Sequence, residues 1–201
     1  MPRLADHDQR RAQITTAARK VIARGGLAAA TFQSVAAEAG ISVRLVQYYF
    51  GTKQEVLTAT HLAVVIAAGE RFARNVAALG ESAPPRAILT AVFTELLPLD
   101  DIRREEAIIL IAFHTAALTT DEVQPKDTAG PGIWLINAVT EQLRRARPDD
   151  DSPAAARRLD LDAQLLVGAV GGLTQGMLTI PQSAAAAPEL VDHLLERFLN
   201  P

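Results

Sequence analysis

The chain has no cysteine in 201 residues, which excludes disulfides and thiolate chemistry and fits a reducing compartment, with the cytoplasm as the expected setting. It also lacks a run of roughly 18 uncharged apolar residues, the length a membrane helix needs. The longest candidate, "HLAVVIAAG" at 61–69, is followed by Glu70 and Arg71. The start, "MPRLADHDQRRAQ", has no apolar centre and does not read as a secretory signal, so no membrane partner is expected. The four histidines (His7, His61, His114, His193) are scattered without metal-ligand spacing. No nucleophile elbow, phosphate-cradling loop or dinucleotide fingerprint is present. An enzyme is therefore not expected, nor a cofactor or a metal.

What is abundant is alanine and leucine. The chain is 49% hydrophobic but only 4% aromatic, a composition that favours helices packed on helices, and the fold class expected is all-α. The net charge of -3 hides an asymmetry. Residues 1–60 carry eight Lys/Arg against four acids, a net of +4, and residues 61–201 carry twelve against nineteen, a net of -7. A polyanion, if one is bound, should meet the N-terminal end.

Helical spacing begins at once. Ile14, Ala17, Ala18, Val21 and Ile22 form one stripe, with Arg11, Thr15 and Arg19 on another face, and Gly25-Gly26 should end the helix. Thr31 can cap a second short helix with Phe32, Val35, Ala36 and Ala39 inward and Gly40 as its stop. Ser42 can cap a third only two residues later. "TFQSVAAEAGISVRLVQYYF" thus reads as helix, tight turn, helix. Lys53 opens a long pattern toward Leu79 whose apolar positions include Val56, Leu57, Leu62, Ala63, Ile66 and Phe72. Further helices are expected at about 86–97, 102–119, 131–147, 153–179 and 188–200, separated by "ESAPPR", "PLDD", "TTDEVQPKDTAGPG", "RPDDDSP" and "TIPQSAAAAP". That makes about nine helices, with residues 1–52 as a helix-turn-helix domain and 53–201 as a second domain. The acidic run Asp149-Asp150-Asp151 reads as a solvated loop. No internal repeat is visible.

The two tyrosines of the chain stand side by side in "VRLVQYYFGTK", residues 43–53. On a helix, Val46 and Phe50 face inward, whereas Arg44, Gln47 and Tyr48 share the outward face. Arginine can fork onto guanine edges or phosphates, glutamine can pair with adenine, and tyrosine hydroxyls bond phosphates well. Lys53 adds charge at a helix start, where backbone amides already favour an anion. This is a surface suited to a major groove. Without the preceding helix and glycine turn, the stretch would read instead as a packed aromatic corner.

"TFQSVAAEAGISVRLVQYYFGTKQEVL" resembles the DNA-binding domain of TetR-family transcriptional regulators, over roughly residues 9–60. The resemblance implies that Thr31, Tyr49 and Lys53 contact phosphates and that Val43, Arg44, Gln47 and Tyr48 face the groove. It places Ala36, Gly40, Val46 and Phe50 at structural positions. Gln47, where the family often has Tyr, and Leu45, where a small polar residue is usual, depart from the pattern and leave the operator sequence open.

Gly168, Gly172 and Gly176 recur every four residues beside Leu165, Leu173 and Met177. Glycine costs up to about 1 kcal/mol per helical position against alanine, so such a strip needs a close approach in compensation. Packing within one subunit would serve. The resemblance implies instead a homodimer built on the last two long helices, with Leu165, Gly168, Gly172, Leu173 and Gly176 meeting Leu190, Leu194 and Phe198. Two recognition helices about 34 Å apart could then read the half-sites of a pseudo-palindromic double-stranded DNA operator. The resemblance also implies a small-molecule effector, usually one that releases a repressor. Phe93, Leu97, Ile109, Phe113, His114, Trp134 and Asn137 are candidates for its pocket, which should be largely apolar. Each also reads as plain core. The alternative is a helical ligand-binding or interaction protein without specific DNA binding.

Overall fold

The computed structural model describes residues 2–147 and 152–199; the acidic run at 149–151 lies outside them. Among the described residues, regular structure is entirely helical: α1 (Pro2–Ala29), α2 (Phe32–Ala39), α3 (Val43–Tyr49), α4 (Lys53–Ala78), α5 (Pro85–Leu96), α6 (Asp101–Thr119), α7 (Pro125–Ala146), α8 (Pro153–Thr179), a 3₁₀ segment (Pro181–Ala186) and α9 (Ala187–Leu199). Contacts divide the chain into two compact units. One takes residues up to Ala67 together with Ile108–Thr128, and the other takes Ala68–Ala107 and Ala129 onward. The division does not follow a boundary at residue 52, because α4, α6 and α7 each run from one unit into the other.

The first unit is built as its periodicity predicts. Ile14, Ala17, Ala18, Val21 and Ile22 of α1 are buried with Val35, Ala36, Val46, Phe50, Val56, Leu57 and Val64. Ile109 and Phe113 of α6 complete this core. α1 breaks at Gly26, whose φ of 71° is left-handed backbone that favours glycine. The far side of α1 is not simply solvated: Thr15 is buried, its hydroxyl donating to the Ala12 carbonyl at 3.0 Å. On α4 the buried positions are Val56, Leu57, Thr60, His61 and Val64, one helical face, while Leu62 and Ile66 point outward. By length and composition alone α4 would suffice to cross a membrane.

The second unit packs Leu89, Phe93 and Leu97 against Val139 and Leu143 of α7, Leu166, Val170 and Met177 of α8, and Val191 and Leu195 of α9. An ion cluster ties its helices. Arg71 on α4 donates to Glu95 of α5 at 2.6 Å and to Glu106 of α6 at 2.6 and 3.2 Å. The bond to Glu106 is the main reason the Arg71 pKa is raised above its ordinary value, with burial opposing. Removing Arg71 would take a partner from both carboxylates, of which Glu106 is buried, and should be destabilising.

The helical spans at the C-terminal end match expectation closely, but α7 begins at Pro125 rather than 131. The segment expected as a break contains Pro131 between Gly130 and Gly132, yet it continues the helix. Proline there removes one backbone donor, and the carbonyl it leaves over is that of Asp127, an exposed residue that water can reach.

Candidate nucleic-acid interface

The helix-turn-helix is fixed by its caps. Thr31 and Ser34 cap reciprocally: Ser34 N–H donates to Thr31 Oγ1 (3.1 Å) and Thr31 N–H donates to Ser34 Oγ (2.9 Å). Gly40 closes α2 in the left-handed conformation, φ 67°, and Ile41 N–H reaches back to the Ala36 carbonyl at 3.0 Å. Ser42 then caps α3, accepting from Leu45 N–H at 3.2 Å. These local bonds set the angle at which α3 leaves the turn.

α3 is divided as helical geometry requires. Val46 and Phe50 are fully buried, and Arg44, Gln47 and Tyr48 are exposed, Tyr48 at 76%. Arg44 and Gln47 make no side-chain hydrogen bond or ion pair with the described residues, so their donors and acceptors are open to an external partner. Val43 and Tyr49 are half-buried and lean on the first core. The Tyr49 ring lies against His7 (centroids 4.9 Å) and edge-on to Tyr48 (5.2 Å). Thr31 is exposed with its hydroxyl engaged in the cap.

The basic residues around α3 are not equally free. Glu38 holds Arg24 at 2.5 Å and Lys20 at 3.6 Å, and the Arg24 hydrogen bond is the main cause of a carboxyl pKa below the usual range. Lys53 Nζ is paired with Glu122 at 2.9 Å. Arg11 and Gln13, which the sequence presents only as parts of α1, reach across to this region. Arg11 donates to the Tyr49 carbonyl at 2.5 Å and Gln13 to the Ala39 carbonyl at 2.9 Å. Neither contact had a sequence signal, since the partners are 38 and 26 residues away.

The residues expected at a ligand pocket fall into two groups. Ile109 and Phe113 are buried in the first core, Phe93 and Leu97 in the second. His114 and Asn137 are exposed, and Trp134 is 56% exposed, edge-on to Phe72 at 5.4 Å in the second unit. These buried apolar positions enter two different cores, because a core-facing phenylalanine or leucine carries the same sequence signature in either. His61 is 7% exposed, and its ring lies tilted against that of Phe113 with centroids 4.9 Å apart. Its Nε2 has no hydrogen-bond partner among the described residues, and burial above all depresses its pKa. It lines a cavity of about 20 Å³ with Thr58, Glu122, Asp127 and Thr128.

On α8, Gly168 and Gly172 are exposed beside Leu165, itself 61% exposed. A Cβ added at Gly168, Gly172 or Gly176 would meet nothing within 4 Å, so packing within the subunit does not explain the strip. Leu173, Leu190, Leu194 and Phe198 are half-buried along the second core, which on α9 is entered most deeply by Val191 and Leu195.

Residues 14–60 match a family model described as bacterial regulatory proteins, tetR family. The HTH-type transcriptional regulator BetI of Agrobacterium fabrum is 29% identical over 202 residues, spanning all of this chain and 93% of that protein. BetI 1 of Chromohalobacter salexigens is 27% identical over 199 residues, 98% of this chain and 96% of that one. Among solved structures, a transcriptional regulator from Rhodococcus sp. RHA1 superposes with a TM-score of 0.76 at 25% identity over 94% of each chain. A regulator from Saccharomonospora viridis, solved in complex with choline, gives 0.80 at 21% identity, covering 94% of this chain and 96% of that chain.

Proposed function

We propose that this chain, which belongs to the tetR family and is a DNA-binding transcriptional regulator, works in the cytoplasm as a homodimeric repressor that a small ligand releases from a pseudo-palindromic operator. The observation that carries the DNA contact is the face of α3, where Arg44 and Gln47 are exposed with their hydrogen-bonding groups unengaged beside Tyr48. Groups of that kind in the major groove discriminate bases. Thr31, Tyr49 and Lys53 are assigned to phosphates, which position the helix without reading sequence. The exposed Leu165–Gly168–Gly172 face of α8 supports the dimer, because an apolar strip with open space above it suits the close approach of a second helix.

For the ligand, the choline-bound neighbour and the Phe72–Trp134 pair favour a small quaternary ammonium. Such a cation offers mostly methyl surface, in keeping with an apolar site, and binds over aromatic faces. The test is to select duplexes from a randomised library with the protein and then titrate choline into the complex. Release at millimolar or lower choline, weakened by Trp134→Ala, is the expected result. Selected binding that choline leaves untouched would remove choline as effector while leaving the DNA reading intact.

A further inference from the structure

We propose that Arg11, backed by His7, is the positioning residue that fastens the C-terminal end of α3 and so determines how sharply its exposed side chains read bases. The inference rests on the DNA-binding reading. α3 has seven residues, too few to be stable alone, and it ends without a left-handed glycine: its cap residue Phe50 is extended at φ -137°, ψ 102°, and Gly51 after it does not take a positive φ. The last carbonyls of such a helix need a partner from elsewhere. Arg11 supplies one. Its Nη1 donates to the Tyr49 carbonyl at 2.5 Å while its guanidinium lies 4.0 Å from the centroid of the buried Phe50 ring. A cation at a helix C-terminus is also favoured by the helix dipole. Four residues back on the same face of α1, His7 packs on the Tyr49 ring, and Tyr49 in turn meets Tyr48 edge-on.

The same helix secures α2. Gln13, its amide held by Arg10 at 2.9 Å, donates to the Ala39 carbonyl. α1 therefore anchors the ends of both helices of the motif through side chains that need not touch DNA. Base contacts tolerate only small errors in placement, so a looser α3 should lose discrimination before it loses phosphate attraction.

The test compares wild type, Arg11→Lys and His7→Ala on two probes: a duplex selected from a random library by the wild-type protein, and a scrambled duplex of equal length. Lysine keeps the charge but not the planar fork or the stacking on Phe50. Arg11→Lys should lose about tenfold on the selected duplex, the scale of one charge-assisted hydrogen bond, with unchanged affinity for the scrambled one. Reselected logos should flatten. His7 is exposed, so His7→Ala should fold normally and lose a smaller share in the same direction. Equal losses of Arg11→Lys on both duplexes, or none on either, would overturn the proposal. If Arg11→Lys does not fold, undiminished discrimination by His7→Ala overturns it instead. A wild-type protein that prefers no duplex would count against DNA reading as a whole, a separate result.

Discussion

Lys53 Nζ lies 2.9 Å from Glu122 Oε1, joining the first residue of α4 to the connection between α6 and α7. The same ammonium is assigned to a DNA phosphate, so Glu122 and the phosphate compete for it. An exposed pair of this kind contributes roughly 0.2–1 kcal/mol. Glu122→Gln should therefore raise affinity for duplexes of any sequence by about 1.5- to 5-fold. Lys53→Ala should lower it and reduce the salt slope by about one. Fluorescence anisotropy on selected and scrambled duplexes measures both, and a Glu122→Gln protein that binds less tightly would remove the competition.

Arg44→Ala and Gln47→Ala should each relax sequence preference by roughly 1–3 kcal/mol if the side chain pairs bidentately with a base. Tyr49→Phe should instead weaken all duplexes alike, because its hydroxyl is assigned to a phosphate. Binding selections on randomised duplexes separate the two classes. Unchanged logos for both Arg44 and Gln47 variants would mean that α3 is not the reader.

The exposed face of α3 was legible because every determinant of it is local. Thr31, Gly40 and Ser42 mark their caps in the sequence, and the 3.6-residue period alone separates Val46 and Phe50 from Arg44, Gln47 and Tyr48. The limits 153–179 of α8 were equally plain, being set by Ser152 and Pro153 at one end and Pro181 beyond the other. What could not be read depends on distant partners. Arg71 meets Glu95 and Glu106 across 24 and 35 residues, and Lys53 meets Glu122 across 69. Phe93 and Phe113 likewise look alike in sequence but are packed into different cores, since a periodic apolar position does not say which core it enters.

The proposed dimer is assigned to the glycine face of α8. Because a Cβ at Gly172 meets nothing within 4 Å, Gly172→Leu should leave the folded subunit intact and act only on association. A branched side chain inserted between closely packed helices typically costs about 1–3 kcal/mol, and more if the backbones cannot separate. Sedimentation should show a shift toward monomer with a nearly unchanged melting temperature, together with a large loss of operator affinity. A variant that remains dimeric would place the interface elsewhere.

His61 makes stability depend on pH. Burial lowers its pKa from the ordinary value near 6.5, the His114 charge lowers it further, and Asp127 opposes both. The unfolded chain then takes up the proton first. The stabilisation is complete above the ordinary value and is lost as pH falls from there toward the depressed folded value. Between about pH 7.5 and pH 5.5 the urea midpoint of the wild type should fall more than that of His61→Leu. Parallel falls in the two proteins would show that His61 stays uncharged or unimportant in that range.

The basic N-terminal segment, +4 over residues 1–60 against -7 in the rest, is proposed to carry α3 onto duplex DNA. This role is tested most directly by measuring the affinity of the wild-type protein for a selected duplex as monovalent salt is raised from about 50 to 200 mM, beside Arg44→Ala. Each neutralised phosphate contributes about -0.9 to the log–log slope, so a steep negative line is predicted, with Arg44→Ala losing its preference for the selected duplex over a scrambled one. A flat line, with no difference between the two proteins, would contradict the account.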